Sequence, residues 1–322
     1  MGREAQAGAA RSRGRRRVGA SGRRLSRAFV IVNPAAGGGR TRRLWPSLRD
    51  RLHRLGLDFE VGETTGPGAA TTMARAAVRD AWPLIVAVGG DGTVNEVVNG
   101  LLDKPGDPVS TLGTIMTGRG RDLCRNLAVP SVPELAADRL ARGADVLVDV
   151  GMAEWGVTQR RFFLSAAGAG FDAVVAQRAE ALGGSGTVPY VWALLGALGS
   201  HRAVSAEIRV DGRPAWAGAL TTAVVANGAF YGGGMMIAPG ADPTDGSLDL
   251  VVIGALGRAE LLRWLPRLYR GTHLANSKVT VYRGTTFEIV TTPPVPTHVD
   301  GEAGPPTPVR ITIRERALRL RR

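Results

Sequence analysis

The sequence predicts an α/β N-terminal domain with a parallel sheet covered by helices, followed by a largely β, sandwich-like C-terminal domain. Up to residue 150, short apolar runs alternate with segments of helical periodicity, which is the β-α-β pattern of a parallel sheet. From Gly151 onward, short β-like runs separated by turn residues dominate. A chain of 322 residues with 44% hydrophobic residues can bury two such cores.

The basic residues of the chain are concentrated at its two ends. The formal net charge is +13; residues 1–27 hold nine arginines and one glutamate, and residues 310–322 hold six arginines and one glutamate. The body between them is near neutral, so we predict no nucleic-acid partner. Residues 1–27 have few large apolar groups and are predicted to be a disordered arginine-rich arm. This arm either attracts anionic lipid or is an unselected tail.

The sequence contains no predicted membrane span. Its most apolar helical candidate, residues 188–199, is shorter than the roughly 20 residues that a bilayer crossing needs. Residues 1–27 lack the apolar central region of a secretory signal. The single cysteine, Cys124, excludes an internal disulfide and suits a reducing compartment. We therefore expect a cytoplasmic protein with at most peripheral contact with a membrane.

The first element is a strand at residues 28–32, which runs into Asn33, Pro34 and the glycines 37–39. Such a loop can bring backbone close to a phosphate or a ribose, although it is also a common connection. Thr64 is either a ligand contact or a turn or cap residue. The elements around it are a helix at residues 44–55, a strand at 57–61 and a helix ending near residue 80.

The most informative stretch is the fully apolar strand at residues 84–88, which leads into Gly-Gly-Asp-Gly-Thr and a helix beginning near Thr93. A strand, a glycine turn and a helix N-terminus together form an anion site. Asp91 lies inside this turn, where a carboxylate is useful if a metal ion or a proton transfer requires it. The alternative is an ordinary glycine-rich connection with a solvated aspartate.

Two pairs of carboxylates in the C-terminal half are candidates for chemistry. Asp242 and Asp245 could share one hard cation, or belong to a plain turn. Asp300 and Glu302 flank Gly301 and could position a hydroxyl group and accept its proton, or form a hairpin turn.

These motifs, in this order, resemble the diacylglycerol kinase and sphingosine kinase family of lipid kinases. The resemblance runs from about Phe29 to the C-terminus. It rests on the Gly-Gly-Asp-Gly-Thr-Val-Asn-Glu loop at 89–96, the segment 112–127, Gly-Phe-Asp-Ala at 170–173, Asp-Gly-Ser-Leu-Asp at 245–249 and Asp-Gly-Glu at 300–302.

The resemblance implies transfer of the γ-phosphoryl group of ATP to a lipid hydroxyl, with diacylglycerol as the first candidate and a sphingoid base or ceramide also open. It implies catalytic roles for Asp300, Glu302 and Asp91, and a Mg²⁺ site at Asp242, Asp245 and Ser247. The implied nucleotide contacts are Asn33, Pro34, Gly37, Thr64, Gly89, Gly90, Asp91, Gly92, Thr93, Asn95, Glu96, Gly118 and Arg119.

The expected division places ATP on residues 28–150 together with 305–322, and the lipid on residues 151–304. The expected partners are ATP, the lipid substrate and a membrane surface, and a homodimer is open. No Gly-x-x-x-x-Gly-Lys motif occurs, so the chain is not a P-loop enzyme.

The chain departs from the family pattern at several positions. Ala36 replaces a serine, Met116 a proline, Arg119 a threonine and Arg121 an asparagine. The two arginines could bind phosphate bidentately or fill the pocket. A catalytically impaired nucleotide- or lipid-binding relative is therefore one alternative. An NAD kinase, which shares Gly-Gly-Asp-Gly, is another.

Overall fold

The computed structural model describes residues 27–103, 109–118, 120–182 and 187–322. The predicted disordered arm lies outside these residues, apart from Arg27, and so does Arg119. In the part of the chain that the structure describes, no helix combines the length and the apolar character that a membrane crossing requires.

The first unit is a parallel sheet with helices packed on it, as predicted. Its strands lie in the order β2-β1-β3-β4, and every residue of β3 is buried because helices cover both faces of the sheet. The strands are β1 (Ala28–Val32), β2 (Phe59–Glu63), β3 (Leu84–Gly89) and β4 (Thr111–Met116). The helices are α1 (Ala36–Arg54), α2 (Ala69–Arg79), α3 (Asp91–Leu101), α4 (Asp122–Leu127) and α5 (Pro133–Arg142).

The start of α1 differs from the prediction of a helix at residues 44–55. Helical hydrogen bonding begins at Ala36, but Gly37, Gly38 and Gly39 all have positive φ angles, between +64° and +81°. These glycines form a tight loop over the end of β1, and the regular helix follows them.

The second unit is largely β and contains three helices, which confirms the predicted fold class. Its antiparallel strands enclose an apolar core that includes Phe163, Ile208, Val225 and Phe287. The strands are β5 (Asp145–Trp155), β6 (Gln159–Phe163), β7 (Ala166–Gly170), β8 (Val204–Val210), β9 (Arg213–Ala226), β10 (Phe230–Tyr231), β11 (Met235–Met236), β12 (Leu248–Gly254), β13 (Val279–Gly284), β14 (Thr286–Thr292), β15 (Thr297–Val299), β16 (Glu302–Gly304) and β17 (Val309–Arg321). The helices are α6 (Phe171–Ala181), α7 (Thr187–Ser200) and α8 (Arg258–Leu268), and a 3₁₀ turn covers Thr272–Ala275.

Two long strands join the units. β5 and β17 pair antiparallel along most of their length, and the end of β17 also pairs in parallel with β4, with Arg319 opposite Thr111. The last strand therefore returns to the first unit. The boundary predicted after residue 150 lies inside β5, which continues from one unit into the other.

Asp149 holds this junction in place. Its buried carboxylate accepts hydrogen bonds from the backbone N–H of Arg316 at 2.6 Å and of Gly246 at 2.8 Å. Arg316, with φ +50°, lies where the register of β17 shifts between Arg314 and Leu318. Because both donors are backbone groups, the carboxylate fixes the bulge of β17 against the loop before β12.

Candidate active site

Three glycine-containing loops meet at the carboxyl ends of β1, β3 and β4. The backbone N–H groups of Thr117 and Gly118 donate to Gly89 O at 2.8 and 3.2 Å. A Cβ atom on Gly118 would lie 2.7 Å from Gly90 Cα, and one on Gly37 would lie 2.9 Å from Thr117 O. The loops therefore approach too closely for side chains at these positions. The result is a cradle of backbone at the edge where parallel sheets bind ligands.

Asn33 and Thr93, both predicted nucleotide contacts, lie together in this cradle. Asn33 Nδ2 donates to Thr93 Oγ1 at 3.0 Å, while Asn33 Oδ1 accepts from Ala35 N at 3.1 Å. These bonds tie the loop that contains Pro34 to the start of α3. Thr64 lies alongside at the end of β2, and its N–H donates to Val32 O at 2.9 Å.

Glu96 holds a neighbouring loop. Its carboxylate accepts from the N–H groups of Gly68 at 3.0 Å and Ala70 at 3.1 Å, which satisfies the N-terminus of α2. A negative charge is favourable at a helix N-terminus. In this arrangement Glu96 shapes the loop after Thr64. Its direct contact with a nucleotide stays a prediction.

Asp91, the first residue of α3, carries the most exceptional group of the site. The residue is partly exposed, yet its Oδ1 is buried and has no hydrogen-bond partner among the described residues. Burial raises the pKa of this carboxyl to about 7, and the charges of Asp122 and Asp300 add to the effect. A Cβ atom on Gly120 would overlap Asp91 Oδ2, so the loop after β4 packs directly on this carboxylate. Buried oxygens without partners are rare in proteins, so a ligand that pairs with Asp91 is expected.

Asp300 is held by four hydrogen bonds. Its Oδ1 accepts from Ser165 N at 2.9 Å and Ala166 N at 3.1 Å. Its Oδ2 accepts from Leu164 N and Asn95 Nδ2, both at 2.9 Å. Two donors on each oxygen fill the acceptor capacity of a carboxylate. Asp300 is thus fixed by the β6–β7 connection and by α3.

Glu302 reaches the start of α3 from the same turn. Its Oε2 pairs with Arg161, and a Cβ atom on Gly92 would lie 2.9 Å from its Oε1. Burial raises the pKa of Glu302, and the Arg161 charge opposes that shift. The structure therefore brings Asp91, Asp300 and Glu302 to the N-terminal end of α3, and the catalytic roles that the resemblance implies for them stay a prediction.

Sequence reasoning did not identify Arg161 as part of the site. Besides Glu302, its guanidinium lies 3.3 Å and 3.4 Å from Asn95 Oδ1. Asn95 is buried and also bonds to Phe162 O at 3.0 Å and to Asp300. An arginine in a β-like run has no local feature that signals such a role. Only the pairing of the second unit with α3 places it here.

Of the two arginines that depart from the family pattern, Arg121 belongs to the described residues and Arg119 does not. Arg121 is exposed at the residue before α4. Next to it, Asp122 pairs with Arg125 at 2.7 Å and accepts from Gly233 N at 2.7 Å, which links α4 to the second unit. The phosphate-binding role of Arg119 and Arg121 stays a prediction.

The loop predicted to bind Mg²⁺ is occupied by the protein's own donors. Asp242 Oδ1 accepts from Thr244 N and Oγ1 at 3.0 and 2.7 Å, and Asp245 Oδ1 accepts from Ser247 N and Oγ at 3.0 and 2.7 Å. The guanidinium of Arg283 pairs with Asp245. The described residues contain no group of three or more His, Cys, Asp or Glu side chains that could hold a metal ion. A cation could use Asp245 only if Arg283 moved away, so this arrangement does not fit Mg²⁺.

An apolar cavity that opens to solvent lies in the second unit, between α6, α7 and α8, with about 550 Å³ of empty space when the solvent at its mouth is included. Leucines of α7 and α8 form much of its wall, including Leu194, Leu198 and Leu265. Asp172 is the only carboxylate among the described residues that line it. This carboxylate is bonded to His298, two residues before Asp300. The cavity therefore ends near the turn that carries the candidate catalytic carboxylates.

Comparisons with known proteins agree with this geometry. Residues 27–153 match the model of the diacylglycerol kinase catalytic domain, and residues 165–322 match that of the YegS C-terminal NAD kinase beta sandwich-like domain. A protein of Mycobacterium tuberculosis (strain ATCC 25618 / H37Rv) named diacylglycerol kinase is 30% identical over 302 residues, covering 92% of this chain and 96% of the relative. A Bacillus subtilis (strain 168) protein of the same name is 29% identical, covering 87% and 91%.

Solved structures show the same fold at lower identity. A diacylglycerol kinase from Bacillus anthracis str. Sterne superposes with a TM-score of 0.70 at 21% identity, covering 93% of this chain and 97% of that one. An NAD kinase from Archaeoglobus fulgidus in complex with ATP gives a TM-score of 0.53 at 15% identity, covering 92% and 93%. With matches to both domain models and a 30% identical relative over nearly its whole length, the chain belongs to the diacylglycerol kinase family and is a lipid kinase.

Proposed function

We propose that this lipid kinase uses ATP and that its substrate is a lipid alcohol, with diacylglycerol as the first candidate. The observation that carries the proposal is the meeting of three features: the glycine cradle, the carboxylates around α3 and the apolar cavity. The names of the relatives support diacylglycerol over a sphingoid base or ceramide. ATP is expected on the first unit and the lipid on the second.

The phosphates of ATP would bind in the cradle. Backbone N–H groups and the N-terminus of α3 offer donors and a positive partial charge to an anion. A Mg²⁺ ion bound with the nucleotide would neutralise phosphate charge. Asp91 fits such an ion because its buried Oδ1 lacks a partner and carboxylate oxygens are ligands that Mg²⁺ accepts.

The reaction requires a group that accepts the proton of the lipid hydroxyl. The hydroxyl oxygen bonds to the γ-phosphorus, the bond to the bridging oxygen breaks, and ADP leaves. Glu302, whose pKa is raised by burial, is the candidate to take the proton. Asp91 is reserved for the Mg²⁺ ion that would accompany the nucleotide. Asp300 already accepts four hydrogen bonds, so we assign it a structural role, which is to hold the turn of residues 300–302 in place.

The hydrocarbon part of the substrate would lie in the apolar cavity, and the faces of α7 and α8 around it would contact the membrane. Trp192 and Leu195 of α7 are 66% and 46% exposed, α8 carries the exposed Arg263, and the exposed Arg270 follows the end of α8. Apolar side chains beside arginines are typical of surfaces that bind anionic lipid. Trp192→Ser should weaken binding to phosphatidylglycerol vesicles. Val290→Ser, at a 48% exposed site on β14, serves as the control.

The decisive test is incubation with γ-labelled ATP and a fractionated lipid panel, followed by identification of the labelled product. We expect labelled phosphatidic acid. Nucleotide binding without any labelled lipid would instead support the impaired relative that Arg119 and Arg121 suggest. Including NAD in the panel tests the remaining alternative, since the likeness to the NAD kinase concerns the fold alone.

A further inference from the structure

A buried hydrogen-bonded pair lies between the lipid cavity and the catalytic turn. His298 Nε2 and Asp172 Oδ2 are 2.7 Å apart, and the two residues are 2% and 6% exposed. Asp172 Oδ1 accepts from Ala173 N at 2.8 Å and also from Thr222 Oγ1. Burying a carboxylate in apolar surroundings is costly and adds little to stability even when it is paired. Its presence here therefore calls for another reason.

The second ring nitrogen of His298, Nδ1, contacts the Asp300–Glu302 turn. Gly301 N lies 3.4 Å from His298 Nδ1 and donates toward it. An Nδ1 that accepts from an N–H cannot carry a proton, so the bonds assign the tautomer with hydrogen on Nε2, which donates to Asp172. Gly301 separates Asp300 from Glu302, and Asp300 has a φ of +48°. His298 thus connects α6 to the turn that holds both carboxylates.

Gly168 leaves space for this pair. It lies opposite His298 in the pairing of β7 with β15. A Cβ atom on Gly168 would overlap Asp172 Oδ2 and lie 2.6 Å from His298 Nε2. Strand β7 therefore has a glycine at the position where a side chain would push Asp172 and His298 apart.

We propose that Asp172 and His298 are positioning residues that fix the Asp300–Glu302 turn relative to the lipid cavity. The proposal rests on the proposed function, because a lipid in the cavity contacts the wall that Asp172 belongs to. The pair does not touch the reacting atoms. It acts by holding the turn, and through Asp300 the β6–β7 connection, in one arrangement.

Two variants break the link in different ways. His298→Phe keeps a ring but removes both hydrogen bonds, and Gly168→Ala forces the partners apart without altering either. Both should lower kcat for lipid phosphorylation by about 10- to 100-fold, the order expected when a catalytic group shifts by about 1 Å. The KM for ATP should stay unchanged because the cradle is built from other loops. His298→Gln, which can still donate to Asp172, should recover most of the lost rate.

Matched controls separate positioning from general damage. His273 is equally buried and bonds at 3.0 Å to the backbone O of Ile237, a residue of the cavity wall, so His273→Phe should lower stability and raise the KM for the lipid without lowering kcat. Gly199→Ala places a methyl group in open space and should leave kcat unchanged. Hydrogen exchange gives a readout that does not require activity. The amides of residues 164–166, which donate to Asp300, should exchange faster in His298→Phe than in His273→Phe.

The outcomes distinguish this inference from the proposed function. An active wild type whose kcat survives both His298→Phe and Gly168→Ala would overturn the positioning role and leave the lipid kinase intact. If no lipid is labelled, amide hydrogen exchange at residues 164–166 still tests the positioning role. Equal protection in wild type and His298→Phe overturns the inference, and faster exchange in His298→Phe supports it.

Discussion

Asp91→Asn is expected to abolish phosphoryl transfer and at the same time to stabilise the fold. The carboxyl has a pKa of about 7 in the folded protein, against 3.8 for a free aspartate. The folded state therefore binds more protons than the unfolded state between these two pH values, and stability falls as the pH rises through them. A pKa difference of about 3 corresponds to about 4 kcal/mol at most. Asparagine removes this charge, so above pH 7 the free energy of unfolding of the variant should exceed that of the wild type by up to about 4 kcal/mol.

The assay compares urea unfolding of wild type and Asp91→Asn at pH 5 and pH 8 in EDTA, without nucleotide. The stability difference should be larger at pH 8, since the wild-type carboxylate is then charged and its Oδ1 unpaired. A difference that is equal at both pH values, or a variant less stable than wild type at pH 8, would refute the reasoning. Phosphoryl transfer is measured on the same samples with Mg²⁺ restored. A variant that keeps most of the wild-type rate would show that Asp91 has no catalytic role.

Three further predictions concern the arginines and the loop near Asp245. Arg119→Thr combined with Arg121→Asn should weaken ATP binding, because each lost charge-assisted contact costs about 1.5–3 kcal/mol. Calorimetry measures the ATP affinity of both proteins. A gain of affinity or activity in the variant would show that the arginines obstruct the site. Deleting residues 1–27 should reduce binding to anionic vesicles at low salt more than at high salt, because salt screens exposed charges. Binding that is the same with and without these residues would indicate an unselected tail. Arg283→Met should make the melting temperature rise with added Mg²⁺ more than in wild type, because a cation that binds only the folded state stabilises it. An equal response of the two proteins would show that Arg283 does not compete with the cation.

The sequence by itself determined the features that depend on local chemistry. A fully apolar strand followed by Gly-Gly-Asp-Gly-Thr predicts a strand, a tight turn and a helix wherever it occurs. The glycines mark places where backbones must approach closely, as Gly118 and Gly90 do. The parallel sheet and the change to a largely β domain could be predicted from such patterns, whereas the return of the last strand is implied only by the family resemblance. The order of the motifs also identified the family.

Only the tertiary structure decided how the candidate residues are used. Asp300 bonds to Leu164, 136 positions earlier, and Glu302 pairs with Arg161, 141 positions earlier. No local pattern encodes such contacts, because they arise when strands that are far apart in the sequence pack together in the second unit. The sequence left open whether Asp91 is a solvated turn residue. Its unpaired oxygen becomes visible only when the loop after β4 packs on it. Burial and pairing are properties of the whole fold, and they set which carboxylate is available for chemistry.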